Sequence, residues 1–191
     1  MKKVMFAFFA FLMATAAMGV SAQVMSGKMK GDNPMVGGAA MYKNKNIVEN
    51  AMNSADHTML VAAVKAAGLV DTLSGKGPFT VFAPINRAFT ALPAGTVDTL
   101  LMPENKGTLA KVLTYHVVAG NFSAKSIMKA IKKGKGTAEF KTVSGGTLKA
   151  MMEGDVVVLM DEKGGKARVT IADVRQSNGV IHVVDTIVMP A

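Results

Sequence analysis

Residues 147–189 read TLKAMMEGDVVVLMDEKGGKARVTIADVRQSNGVIHVVDTIVM. Strand-like runs at 147–152, 156–160, 166–172 and 179–189 are separated by Gly154-Asp155, Gly164-Gly165 and Asn178-Gly179. Asn-Gly and Gly-Gly pairs between apolar runs signal hairpins, because both residues tolerate positive φ. The C-terminal half is therefore predicted to be an antiparallel meander.

Upstream, the period changes to a helical one. Asn46 and Glu49 have the spacing of a capping box ahead of the stripe Ile47, Val48, Ala51 and Met52. Leu60, Ala63, Val64 and Ala67 continue at helical spacing, and Gly68 sits where a helix stops. Pro78 to Ala83 reads as a strand, Asn86 as the cap of a short helix, and Leu109, Val112 and Leu113 as the stripe of another. Helices first and a meander last define an α+β domain.

Three blocks in this frame resemble the fasciclin domain family. Phe79-Thr80-Val81-Phe82-Ala83-Pro84-Ile85-Asn86-Arg87-Ala88-Phe89 is similar to the family's strand-to-helix block. Leu113-Thr114-Tyr115-His116-Val117-Val118 is similar to its central tyrosine–histidine block, and Asn178 to Asp185 to its closing strand. The resemblance covers about Met41 to Ala191. It implies a compact β-wedge with helices packed around it, and adhesion or matrix association rather than catalysis. Ile85 departs from the family's usual Thr, so the hydroxyl available at that turn is missing.

The residues carrying the resemblance have two readings each. In the family the block around Tyr115 and His116 is associated with adhesion, which makes these two a candidate interaction site. Read as a strand, the same run puts Tyr115 and Val117 on one face and His116 and Val118 on the other, with His116 structural. His182 reads as a structural histidine bonded to backbone. Asp173 and Asp185 read as acceptors of backbone N–H groups at strand ends, and Asn86 as a helix cap.

Composition narrows the chemistry. The 191 residues contain no cysteine, which removes disulfides, thiol catalysis and cysteine-ligated metals. Neither a metalloprotease, a nucleophile-elbow nor a phosphate-loop pattern occurs. His57, His116 and His182 match no short-range ligand spacing. No catalytic residue, metal or cofactor is called for. The formal charge is +9, and Lys125, Lys129, Lys132 and Lys133 recur at helical spacing opposite Ile127, Ala130 and Ile131. That stripe is either a solvated face or a contact for an anionic polysaccharide or envelope component. Without Trp and with two Tyr, stacking platforms for nucleic acid are few.

The chain opens with Lys2-Lys3, an apolar run from Val4 to Met18, and Val20-Ser21-Ala22. This is the pattern of a signal peptide cleaved near Ala22, so the mature protein is expected to be exported, periplasmic or extracellular, without a transmembrane segment. Residues 23–45 read as a flexible lead. Met25, Met29, Met35 and Met41 within it are soft thioethers that suit Cu(I), or free use of Met in place of Leu. Residues 46–191 form the domain. The leading functional reading is an exported adhesion or surface-association module whose partner is a cell-surface protein or an anionic envelope polymer. A small-ligand binding protein, for haem or lipid, is the alternative.

Overall fold

The computed structural model describes residues 33–191. The expected signal peptide, and Met25 and Met29 of the lead, lie outside the described residues.

The meander forms as its turns dictate, and five strands alternate antiparallel: β5 (Thr137–Lys141), β6 (Thr147–Glu153), β7 (Val156–Met160), β8 (Lys166–Gln176) and β9 (Gly179–Val184). Two more strands join from the N-terminal half. β3 (Phe79–Pro84) lies parallel to β9 from Phe79 opposite Gly179 to Pro84 opposite Val184, and β4 (Val117–Ala119) lies antiparallel to β3. The order is β4-β3-β9-β8-β7-β6-β5. The edges then meet, because Val143 N–H donates to the Val117 carbonyl at 2.8 Å and Val118 bridges Thr142. A sheet curled back on itself in this way is the wedge.

β9 is buried along its whole length, as expected of a central strand covered on both faces. Ile181 and Val183 enter a core shared with the helices α1 (Ile47–Ala51), α2 (Thr58–Ala67), α3 (Val70–Ser74), α4 (Asn86–Thr90) and α6 (Lys106–Tyr115). Val184 and Phe82 enter a second core, closed by α7 (Ala124–Lys133) through Ile127 and Ile131. A short helix, α5 (Thr96–Leu101), rides outside the first core and has no buried residue.

The capping box at Asn46 forms: Glu49 N–H donates to Asn46 Oδ1 at 2.9 Å, and Asn46 N–H donates to Glu49 Oε2 at 2.7 Å. Gly68 ends α2 at φ 71°.

Three expectations are corrected. The lead is not without structure throughout. β1 (Met35–Val36) and β2 (Ala39–Ala40) form a hairpin that buries Val36 and Met41 in the first core, and Ala55 N–H donates to the Gly37 carbonyl. Periodicity cannot reveal strands of two residues.

The run 113–118 is not one strand. The apolar stripe Leu109, Val112 and Leu113 carries α6 through Tyr115, and His116 stands at the helix C-terminus.

The last hairpin turn is made by Ser177 and Asn178, neither with positive φ, so Gly179 is needed for another reason: it is the first residue of β9, pressed against β3.

Candidate functional site

The four lysines singled out by their spacing lie together. Lys125, Lys129, Lys132 and Lys133 are all exposed on one face of α7, while Ile127 and Ile131 on the opposite face are buried. Ion pairs among the described residues involve Lys149, Lys166 and Arg168, and none of the α7 lysines. No ion pair among the described residues therefore offsets their charge. Lys132 and Lys133 also sit in the last turn, where cations complement the carbonyl end of the helix dipole.

The start of α7 explains two of the structural residues. Ser126 N–H donates to Ser123 Oγ at 3.2 Å, the helix's own cap. Ala124 N–H donates to Asp173 Oδ1 at 2.8 Å, placing a carboxylate at the positive end of the helix. Asp173 lies at φ 60°, in the irregular stretch of β8 between Ile171 and Val174. Its own N–H donates to His182 Nδ1 at 3.3 Å, so the His182 proton is on Nε2, which donates to the Phe122 carbonyl at 2.8 Å. Phe122 N–H in turn donates to Thr80 Oγ1 at 2.9 Å, and Thr80 donates to the Gly120 carbonyl at 2.7 Å. Asp173, His182 and Thr80 thus moor the loop and helix that present the lysines. Burial holds the His182 pKa below 6.5 against the opposing pull of the Phe122 carbonyl and Asp173, which keeps the ring neutral.

Tyr115 and His116 are placed differently. Tyr115 is 0% exposed and His116 3%, so neither side chain offers a surface to a partner. Tyr115 donates its hydroxyl proton to the Thr147 carbonyl at 2.7 Å, and burial pushes its pKa up to about 12. Val188 N–H donates to His116 Nε2 at 3.1 Å, which leaves the proton on Nδ1 to meet the Val112 carbonyl at 2.9 Å. The pair ties the end of α6 to β6 and to the C-terminal segment. A strand over 113–118 would place these side chains on alternate faces, whereas the helix end turns both inward.

Asn86 caps a helix, but not its own. It is the first residue of α4, whose preceding Ile85 makes no side-chain cap. Asn86 Oδ1 accepts from Met59 N–H at 3.0 Å and Nδ2 donates to the Ala55 carbonyl at 2.8 Å, so it caps α2 across the fold. Asp185 Oδ1 accepts from Arg168 N–H at 2.8 Å at the end of β9.

The histidines do not suit a haem iron, which needs an imidazole nitrogen with an uncommitted lone pair. His116 and His182 have both nitrogens engaged with backbone. His57 Nδ1 meets Ser54 Oγ at 2.8 Å, and its partnerless Nε2 is buried beside a void of only about 10 Å³. Among the described residues no three His, Asp or Glu side chains gather as metal ligands, and Met41, 2% exposed, is withdrawn from any copper site.

One feature was invisible in the sequence. Between α2, α4, α5 and α6 lies an apolar pocket of about 170 Å³ with His116 in its wall. It is assembled from ordinary core residues of separate helices, which no local pattern marks.

Comparisons with known proteins agree with this architecture. The model of the fasciclin domain family matches residues 55–190. Protein sll1483 of Synechocystis is 47% identical over 156 residues, covering 82% of this chain and 79% of that protein. The transforming growth factor-beta-induced protein ig-h3 of Sus scrofa is 36% identical, covering 70% of this chain but 17% of that protein. Immunogenic protein MPB70 of Mycobacterium bovis is 34% identical, covering 73% of this chain and 66% of that protein. Among solved structures, a FAS1 domain pair from the insect cell adhesion molecule Fasciclin I superposes with a TM-score of 0.65 at 19% identity, covering 74% of this chain and 50% of that one.

Proposed function

We propose, from the premise that this chain belongs to the fasciclin domain family, that it is an exported, non-catalytic surface-association module whose contact face is the lysine face of α7. The observation that carries this is the set of four exposed lysines on one helix face, unpaired within the described structure and held in place by Asp173 and His182. A cationic face of this kind suits an anionic polymer at the cell envelope. Each exposed lysine contributes about 1 kcal/mol or less, so binding depends on the group. Adhesion comes to this chain from its relatives: the solved relative is described as a cell adhesion molecule, and another, MPB83 of Mycobacterium bovis, as a cell surface glycolipoprotein.

The test is binding of the mature protein to immobilised lipopolysaccharide. Changing Lys125, Lys129, Lys132 and Lys133 together to Gln leaves Ile127 and Ile131 in the core and preserves the fold. Wild-type binding is expected to weaken between low and moderate salt, and the quadruple variant to bind at least tenfold more weakly. Equal binding by both proteins would reduce the stripe to a solvated face.

A further inference from the structure

We propose that the pocket between α2, α4, α5 and α6 binds the terminal segment of an alkyl chain, at a site separate from the lysine face. The pocket is a funnel. Its floor is buried and includes Ala63, Phe89, Leu109 and Leu113, while Ala62 and Leu101 at its rim are exposed. Leu101 is 38% exposed and the following Met102 45%, so apolar surface continues outward from the mouth. α5, which supplies one side of the rim, has no buried residue, whereas α2 and α6 each bury four, so it is held to the body less firmly than either.

The wall selects the ligand. Its one titratable group is His116, whose two nitrogens are already committed to Val112 and Val188. A carboxylate, phosphate or sugar entering the funnel would lose its hydration and find no partner. Carbon surface loses nothing by entering. The volume sets the length: a cavity of about 150 Å³ admits a benzene ring, so about 170 Å³ holds about six carbons of a flexible chain. An amphiphile fits at both ends, with its tail among Leu and Val side chains and its head at the open rim in water. Left empty, a space of this size forfeits contacts for every side chain lining it.

The experiment titrates the full chain with butanoate, hexanoate, octanoate and decanoate below their micellar concentrations. Methyl resonances of Met59, Ile187 and Leu109 report the site by NMR. Saturable shifts at these methyls are expected, with Kd falling about fourfold per added methylene and levelling once the tail fills the funnel. Ala62→Leu narrows the exposed mouth without touching the core. It is expected to keep the melting temperature and weaken octanoate binding at least tenfold. The quadruple Lys→Gln variant is expected to bind octanoate as wild type does, which separates this site from the lysine face. Absence of shifts at these methyls, affinity independent of chain length, unchanged binding by Ala62→Leu, or binding of benzene alone would each overturn the proposal.

Discussion

Gly179, the first residue of β9, lies against Phe79, the first residue of β3, so closely that a Cβ at 179 would overlap the Phe79 carbonyl oxygen. The obstacle is backbone, which cannot swing aside. Gly179→Ala is therefore expected to lower stability by about 2–3 kcal/mol, as overpacking does. Gly164 is the contrasting case, with φ 84° and open space where a Cβ would stand. There Ala costs only backbone strain, about 1 kcal/mol. Urea unfolding of the two variants gives the order, and the reverse order would mean that β3 and β9 are misregistered.

That contact also marks the limit of local reading. The hairpins from β6 to β9 announce themselves through turn residues and period, because each strand pairs with its sequence neighbour, although the turn before β9 falls one residue earlier than its Asn-Gly pair suggests. The parallel pairing of Phe79 with Gly179 joins distant segments, and no short-range pattern encodes it. Asn178 shows the same thing in one side chain. It reads as a turn residue, yet its Oδ1 accepts from Ile47 N–H at 3.0 Å and its Nδ2 donates to the Leu73 and Gly75 carbonyls at 2.8 and 2.9 Å. The lysine face was legible because one helix carries all of it. Tyr115 and His116 read as strand residues because Val117 and Val118 extend their run with β-branched side chains, yet the stripe ending at Leu113 keeps the preceding turn helical. The pocket needed four helices at once, so nothing in the sequence signalled it.

Asp173 serves two ends that single substitutions can separate. Its carboxylate accepts the first N–H of α7, and its backbone holds φ 60°. Asn keeps an acceptor and tolerates the left-handed region, so Asp173→Asn is expected to cost under about 1 kcal/mol. Ala supplies neither, and Asp173→Ala is expected to cost about 2–3 kcal/mol from the lost cap and the strained backbone together. Because the mooring orients the lysines, Asp173→Ala is also expected to weaken lipopolysaccharide binding without removing a positive charge. A variant that loses stability but binds as wild type would show that the lysine face needs no support from β8.

His116 makes stability depend on pH in a stated direction. Burial holds its pKa at about 4, against 6.5 for a free imidazole, with the Val112 carbonyl and Asp161 opposing that shift. Between those values the unfolded chain binds a proton that the folded chain refuses, because protonating Nε2 would break the Val188 hydrogen bond. The contribution is complete above about pH 6.5, declines as pH falls, and is exhausted near pH 4. It amounts to about 3 kcal/mol for the full shift. His57 and His182, both lowered by burial, act in the same sense, whereas the stability that Glu153 and Glu162 gain from their hydrogen bonds is intact above the ordinary carboxylate pKa of 4.5 and is lost only below it. Urea midpoints measured from pH 7 to pH 5 are therefore expected to fall. His116→Gln retains an acceptor for Val188 N–H but does not titrate, and it is expected to flatten the slope between pH 6 and 5 by about 1.2 kcal/mol per pH unit. An unchanged slope in that variant would mean that His116 takes up its proton in the folded state and is not sealed in the core.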